Sequence, residues 1–195
     1  MGNREDLIDA ARRCLREKGF ARTTARDLAA ASNVSLAAIG YHFGSKEALL
    51  THALIEASGE WVDELEALVT SALPPDAPFI DRFEAIWERL LELFVSHRQL
   101  WAANFEISPQ IEQMPEVRKA FAAAQQEARW GLAKLFQGAR APADSETTLA
   151  MGSFYYALLT GVMAQWLVDP DRAPTARDLG QALRMIAAET RGVGS

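Results

Sequence analysis

The sequence has few of the residues that disulfide scaffolds and metal sites require, and it has no long apolar run. Cysteine occurs once in 195 residues, as Cys14, which excludes an internal disulfide framework. Leu7, Ala11 and Leu15 surround Cys14 at helical spacing, so we expect it in the core, with a redox sensor as the alternative. No stretch of 18 or more uncharged apolar residues occurs, and no basic segment followed by an apolar one opens the chain. We therefore expect neither a membrane span nor secretion, and predict a cytoplasmic protein.

Recognisable catalytic motifs are also missing. The three histidines are isolated in the sequence, and no cysteine pair, His-Glu-x-x-His or Glu-x-x-His occurs, so zinc and di-iron bundle sites lack ligands. Glu84, Glu88 and Glu92 recur every four residues, which is typical of a solvated acidic face, and a metal site is the alternative. No nucleophile elbow is recognisable. We therefore expect no metal, no cofactor and no catalytic residues, and a helical enzyme stays the main alternative function.

The charge is unevenly distributed along the chain. The net charge of −6 alone argues against nucleic-acid binding. However, residues 1–50 contain eight Lys/Arg and six Asp/Glu, whereas residues 51–195 contain twelve and twenty. Only the N-terminal quarter is therefore suited to face phosphate groups, because the acidic remainder would be repelled by DNA.

Apolar residues recur with a period near 3.6 almost throughout, and no stretch alternates for long enough to predict a strand. With 49% hydrophobic residues, a chain of this length can bury a core. We therefore predict an all-α protein of about nine helices, with a linker at 73–78 where two consecutive prolines stop the fourth helix. The predicted helices span 4–18, 24–32, 36–43, 46 to the linker, 79–96, 98–106, 115–137, 145–168 and 175–191.

Local signals near the N-terminus predict two short helices joined by a tight turn. Gly19 ends the first helix, and Thr24 with Asp27 forms a short capping box that begins the second. Asn33 tolerates a left-handed turn, and Ser35 is positioned to cap the third helix. A short helix opened by a cap and braced by its predecessor has the dimensions of a DNA-binding helix-turn-helix.

The run from Thr23 to Leu50, TTARDLAAASNVSLAAIGYHFGSKEALL, closely resembles the N-terminal signature of the TetR family, the tetracycline-repressor type of regulator. The match covers about the first fifty residues and is highly specific, whereas the rest resembles the family only in architecture. The sequence departs from the family pattern in the turn, where Ser32-Asn33 replaces Ala-Gly, and at Gly40, where many members carry a larger side chain. The resemblance implies a DNA-binding domain at 1–48 and an effector-binding and dimerisation domain at 49–195.

The resemblance also implies which residues contact an operator. Thr24 and the start of the second helix would meet phosphate, the small side chains of the third helix would face bases, and polar groups near its end would hold the backbone. Because the base-facing side chains offer no bidentate hydrogen bonds, recognition of the operator sequence would depend on DNA shape. Ile39 and Phe43 would face the core. The implied DNA contacts are Thr24, Arg26, Ser35, Leu36, Ala37, Ala38, Gly40, Tyr41, His42 and Lys46.

Each contact has a simpler alternative. Arg26 could be a solvated surface charge, Lys46 could pair with Glu47, and His42 could be an ordinary surface histidine. A ligand-binding or scaffolding dimer whose helix-turn-helix has lost DNA affinity is the third functional hypothesis.

Aromatic residues are abundant in the predicted helices after the linker. For each of them an ordinary core role is the alternative, but together they favour a mostly apolar cavity between helices, with a few polar groups to orient a ligand. The implied effector is small and apolar or aromatic. The candidate pocket residues are Trp87, Phe94, Trp101, Phe105, Phe121, Gln125 and Tyr155.

The last two predicted helices are expected to form a homodimer. Small residues in the helix at 145–168 allow close helix approach, and the resemblance implies pairing across a two-fold axis. The two recognition helices would then lie about one DNA turn, ~34 Å, apart and bind a palindromic operator. We expect a repressor that the effector releases through a shift of the fourth helix. The candidate interface residues are Phe154, Leu158, Gly161, Gln165, Leu183 and Ile186.

Overall fold

The computed structural model describes residues 3–72, 74, 77–138 and 145–192, and every regular element within them is helical. A short 3-10 helix, Ser108–Gln113, precedes the seventh α-helix. The all-α prediction is therefore confirmed for the described part of the chain. The nine α-helices are α1 Asn3–Lys18, α2 Ala25–Ser32, α3 Leu36–Phe43, α4 Lys46–Ala72, α5 Phe79–Ser96, α6 Arg98–Ile107, α7 Pro115–Gln137, α8 Ser145–Val168 and α9 Ala176–Gly192.

The ends of the helices follow local backbone chemistry. Gly19 follows α1 with φ 78°, Asn33 follows α2 with φ 57° and ψ 31°, and Gly44 follows α3 with φ 79°. These left-handed positions stop helices where glycine or asparagine is available. The 3-10 helix lies between two predicted helices and is not itself predicted; Pro109 fits in it because proline is tolerated in the first turn of a helix. Residues 73, 75 and 76 of the predicted linker lie outside the described residues.

A first compact unit contains the described residues up to Val62 together with His97–Glu127. Its core joins the apolar face of α1 to α2, α3, the start of α4, α6 and the start of α7. Cys14 is buried in this core, as predicted, and burial raises the pKa of its thiol. This unit extends beyond residue 48, so the functional boundary there stays a prediction. The fully buried core residues include Leu7, Leu15, Leu28, Leu49, Leu50, Leu54 and Ala103.

A second compact unit contains Asp63–Ser96 together with the described residues from Ala128 onward. In it α5 packs on α9, where Arg184 pairs with Glu84 at 2.7 Å. Helices α7 and α8 approach closely at Gly152, because a Cβ atom there would lie 2.0 Å from the Arg129 carbonyl oxygen. The small residue at this point of α8 therefore serves packing within the chain.

Candidate nucleic-acid interface and effector region

The loop between α1 and α2 is held by buried hydrogen bonds. The hydroxyl of buried Thr23 donates to the Gly19 carbonyl oxygen at 2.7 Å. The Ala21 N–H donates to the carboxylate of Glu106 in α6 at 2.8 Å. Glu106 lies 85 residues further along the chain, so no local pattern could reveal this contact. The loop that precedes α2 is therefore tied to α6.

The N-terminus of α2 has the predicted capping box. The Asp27 N–H donates to the Thr24 hydroxyl oxygen at 3.1 Å, and the Thr24 N–H donates to the Asp27 carboxylate at 2.9 Å. The Lys18 ammonium, 2.6 Å from Asp27, and then the Thr24 hydroxyl hold the pKa of the Asp27 carboxyl well below its usual range. Because Thr24 already donates its hydroxyl hydrogen to Asp27, at 2.7 Å, a phosphate would have to be bound through N–H groups. Those of Ala25 and Arg26 have no acceptor within the described residues.

The turn into α3 differs from expectation at Ser35. Asn33 adopts the predicted left-handed conformation, and Ser35 has the extended backbone of an N-cap residue. The Ser35 side chain makes no cap hydrogen bond, because the Ala38 N–H is bound to the Ser35 backbone carbonyl at 3.0 Å. The prediction of a side-chain cap is therefore wrong, and the Ser35 hydroxyl stays exposed beside the start of α3.

Helix α3 buries one face and exposes the other. Ile39 is 3% exposed in the core of the first unit, and Phe43 and Ala38 pack against that core. On the opposite face Leu36 is 50% exposed and Tyr41 is 86% exposed. Ala37 and Gly40 are exposed beside them, and a Cβ atom on Gly40 would meet nothing within 4 Å. The base-facing positions Leu36, Ala37 and Gly40 are therefore open, and the two residues predicted to face the core do so. Ala38, which was also predicted to face bases, is instead partly buried against the core.

The polar residues that flank this face have different surroundings. Arg26 is exposed on α2. His42 is partly buried, and its ring lies edge-on to Tyr41 at a centroid distance of 4.9 Å. The Lys46 ammonium lies 3.2 Å from the Glu47 carboxylate, which is the pairing that we considered as the alternative to a phosphate contact. A phosphate would thus compete with Glu47 for Lys46.

A polar network that sequence patterns missed connects α1 to the first turns of α4. The Arg12 guanidinium donates to Glu56 at 2.9 Å and to Glu60 at 2.7 Å. Arg4 lies 2.9 Å from the His52 ring nitrogen Nε2, which is also 2.9 Å from Glu56. The four-residue spacing of Glu56 and Glu60 indicates that both lie on one face of α4. Nothing in the sequence indicates that their partner is Arg12, 44 residues before Glu56. Together with the shared core, this network holds α4 against α1.

Three predicted effector-pocket residues lie in the second unit, and Trp87, Phe94 and Tyr155 are all fully buried there. The Phe136 ring stacks on Tyr155 at a centroid distance of 4.3 Å, and it lies 6.2 Å from the Trp87 ring. The structure therefore brings Trp87 and Tyr155 together on Phe136. Phe94 instead lies 5.9 Å from the ring of Trp166, one of the residues that sequence analysis did not select.

The other four predicted pocket residues lie in the first unit. Trp101 and Phe105 belong to α6, and Phe121 and Gln125 belong to α7. All four are partly buried, and Phe121 packs against the core of the first unit. Their part in ligand binding stays a prediction.

The predicted interface residues form an exposed stripe on α8 and part of α9. Phe154 is 47% exposed and Ile186 is 57% exposed, and Gly161 and Gln165 are also exposed. A Cβ atom on Gly161 would meet nothing within 4 Å. The α8 positions 154, 158, 161 and 165 follow the 4-3-4 spacing of helices that pack side by side. Leu158 and Leu183 are partly buried at the edge of the stripe.

Two further findings concern only the described residues. No group of three or more His, Cys, Asp or Glu side chains is arranged to hold a metal ion there. None of the described helices is long and apolar enough to cross a membrane.

The N-terminal part of the chain matches a known protein family. Residues 7–53 match the family model described as bacterial regulatory proteins, tetR family. These residues run from the middle of α1 into α4 and include all of α2 and α3. The search of curated proteins found no match.

Solved structures extend the likeness over nearly the whole chain. A protein of Mesorhizobium loti MAFF303099, described as a TetR-family transcriptional regulator, aligns with a TM-score of 0.65 and 18% identity over 92% of this chain and 90% of its own. The multidrug binding protein EbrR in complex with proflavin aligns with a TM-score of 0.65 and 24% identity over 94% of this chain and 99% of its own. A protein of Saccharomonospora viridis, described as a transcriptional regulator and solved in complex with choline, aligns with a TM-score of 0.61 and 20% identity over 93% of this chain and 93% of its own. At these identities the likeness establishes the fold.

Proposed function

We propose that this chain, whose residues 7–53 match the tetR family model and whose fold resembles that of TetR-family structures, binds operator DNA as a homodimer and represses transcription until a small apolar effector releases it.

The observation that carries the proposal is the open face of α3. This helix of eight residues packs on the core through Ile39 and offers Leu36 and Tyr41 on its outer edge to a partner. The major groove of DNA is wide enough to admit such a helix. The Ser35 hydroxyl lies at the start of the same helix, and free N–H groups are available at the start of α2; phosphate contacts of such groups fix the register of a recognition helix.

The distribution of charge supports DNA as the partner. The first 50 residues carry an excess of basic side chains and the rest of the chain carries an excess of acidic ones. Of the eight basic residues, Arg12 and Lys18 are engaged with carboxylates and Lys46 is paired with Glu47. Exposed Arg26 on α2 is the basic side chain that we assign to a phosphate contact, and the predicted contacts at α3 supply the other interactions with DNA.

The exposed stripe on α8 and α9 supports a dimer. An apolar stripe with a glycine in it permits a second α8 to pack closely around a two-fold axis. A two-fold dimer then requires a palindromic operator whose half-sites are about one turn apart.

The switch follows from the connection of α4 to α1. We propose that effector binding shifts α4, and that the Arg12 and Arg4 contacts carry the shift to the helix-turn-helix. Reciprocity then requires that bound operator weakens effector binding by the same factor, with a coupling of about 1 to 3 kcal/mol. EbrR, which binds proflavin, supports a small-molecule ligand for this fold.

Binding to duplex DNA at increasing salt tests the proposal. Fluorescence anisotropy with a labelled random-sequence duplex would give the affinity at about 50 to 200 mM salt, and a plot of log affinity against log salt should fall by about 0.9 for each phosphate contacted. Selection from a random duplex library should then enrich a palindrome. Little binding at any salt would instead favour the scaffold or enzyme hypothesis and would overturn the proposal.

A further inference from the structure

Four aromatic rings form a closed cluster in the second unit. Phe83, Trp87 and Tyr155 surround Phe136, and all four side chains are at most 1% exposed. The ring centroids of Phe83 and Phe136 are 5.4 Å apart, those of Trp87 and Phe136 are 6.2 Å apart, and Tyr155 stacks on Phe136 at 4.3 Å. The cluster joins α5, α7 and α8, all within the second unit.

The polar atoms of this cluster are donors. The Trp87 Nε1 atom is buried and makes no hydrogen bond. The Gln137 side-chain amide donates to the Tyr155 hydroxyl oxygen, and the hydroxyl hydrogen has no acceptor among the described residues. Burial raises the pKa of Tyr155 to about 12, so the hydroxyl keeps its hydrogen at neutral pH. A buried donor without a partner destabilises the folded protein, so it is rarely left unpaired without a reason.

No Asp or Glu residue that the structure describes in this unit is fully buried. Among the described residues of the second unit, the buried polar or charged side chains other than Tyr155 are Arg82 and Thr148. Glu84 follows Phe83 in α5, but it is partly buried and already paired with Arg184 at 2.7 Å. The described interior of this unit therefore offers hydrogen-bond donors, a guanidinium and one buried carboxylate oxygen, Glu84 Oε1, which already lies against Arg184.

We propose that the effector binds against this aromatic cluster and carries an oxygen acceptor, neutral or anionic, that receives the hydrogen bond of the Trp87 indole N–H. The inference rests on the proposed function, because it assumes that the chain responds to a small molecule. It assigns to this chain a ligand class different from the cationic proflavin and choline held by the proteins of similar fold. The ligand would supply the partner that the buried indole nitrogen lacks.

Four matched naphthalenes test the ligand class on the full-length protein. The neutral acceptor is 2-acetylnaphthalene, the anionic acceptor is 2-naphthoate, 2-ethylnaphthalene has no acceptor, and 2-naphthylmethylammonium is a cation. Calorimetric titration would give the affinity for each. At least one of the two oxygen compounds should bind about 3 to 10 times more tightly than 2-ethylnaphthalene, which is the ratio that one buried hydrogen bond supplies. Equal or tighter binding of the ethyl or ammonium compound, or no binding of any of the four, would overturn the proposal.

The indole N–H resonances identify the donor directly. The chain has five tryptophans, so ¹⁵N-labelled protein should give five indole peaks, and the peak that disappears in Trp87→Phe belongs to Trp87. The oxygen compound should move this peak downfield, while 2-ethylnaphthalene should leave its hydrogen-bond shift unchanged. A Trp87 peak that is insensitive to the oxygen compounds contradicts the assignment even if they bind elsewhere.

Two variants complete the test. Trp87→Phe keeps an aromatic ring and removes the N–H, so the advantage of the oxygen compound over 2-ethylnaphthalene should disappear. Trp130→Phe is the matched control, because Trp130 is partly buried on α7 and has no ring contact within the described residues. An advantage that persists in Trp87→Phe refutes the role of Trp87, and the naphthalene series on the unaltered protein stays decisive if the variant does not fold. DNA affinity is measured separately, so a regulator with a different effector class can be told apart from a protein that does not bind operator.

Discussion

Tyr41 lies on the outward face of α3 with 86% of its surface exposed, and its ring contacts the neighbouring His42 edge-on. An aromatic residue this exposed adds little to the core, so its removal should separate DNA affinity from folding. We expect Tyr41→Ala to weaken operator binding about 3-fold to 10-fold, the effect of losing one hydrogen bond to the backbone, with the unfolding temperature unchanged. Anisotropy titration and thermal unfolding measure the two quantities.

Val95→Ala is the matched control for Tyr41→Ala. Val95 is 68% exposed on α5, so the substitution removes exposed apolar surface without touching α3. It should leave operator affinity as it is. If the two variants bind DNA equally well, Tyr41 does not contact the operator.

Two helices of the chain begin with the same local arrangement of threonine and aspartate. Thr24 and Asp27 cap α2, and Thr175 and Asp178 cap α9 with a side-chain hydrogen bond of 2.6 Å and backbone hydrogen bonds of 3.0 and 3.2 Å. In both, hydrogen bonds hold the pKa of the aspartate below its usual value, but Asp27 also receives the Lys18 ammonium. A carboxylate at the first turn also interacts favourably with the helix dipole. The two caps therefore form a natural comparison.

Asp27→Asn should change how stability depends on pH. A carboxyl whose pKa is lowered by folding stabilises the protein above its unfolded pKa, about 3.9, and the stabilisation is lost as the pH falls from there towards the folded pKa. The unfolding free energy of the variant should therefore lie below that of the parent by a constant amount at pH 5 to 7, and the gap should close below about pH 4. Urea unfolding across this range measures it.

Asp178→Asn provides the comparison for the pH experiment. Among the described residues its carboxyl receives hydrogen bonds from Thr175 alone, so the gap should be smaller at neutral pH and should close over a narrower range below about pH 4. A gap for Asp27→Asn that stays constant down to pH 3 would show that the Lys18 contact does not stabilise the folded state.

At the scale of the element, the features that local chemistry controls were predictable. The bounds of α3, α5, α7 and α8 agree with the sequence-based ones because caps, glycines and prolines mark them within a few residues. The 3-10 helix and the unused Ser35 side chain were missed, since both depend on which of two nearly equivalent local hydrogen bonds forms.

Contacts between elements distant in sequence were not predictable. Nothing near Glu106 indicates that its carboxylate receives the Ala21 N–H, and nothing near Arg12 indicates Glu56. The candidate site was therefore predicted as a set of residue types on helix faces. The polar network between α1 and α4, and the contact of the loop before α2 with α6, both depend on how the helices pack.

For the whole molecule, the exposed stripe on α8 should control assembly. Phe154→Glu places a charge at the centre of an apolar face, and like charges from two copies would meet across the two-fold axis. The parent chain should sediment at twice its mass of 21.4 kDa, and the variant should dissociate at micromolar concentration and lose operator affinity with its helix content unchanged. Val95→Glu, an equally apolar exposed position on α5, should stay dimeric, because it lies outside the stripe. If Phe154→Glu sediments as a dimer like the parent, the dimer interface lies elsewhere on the chain.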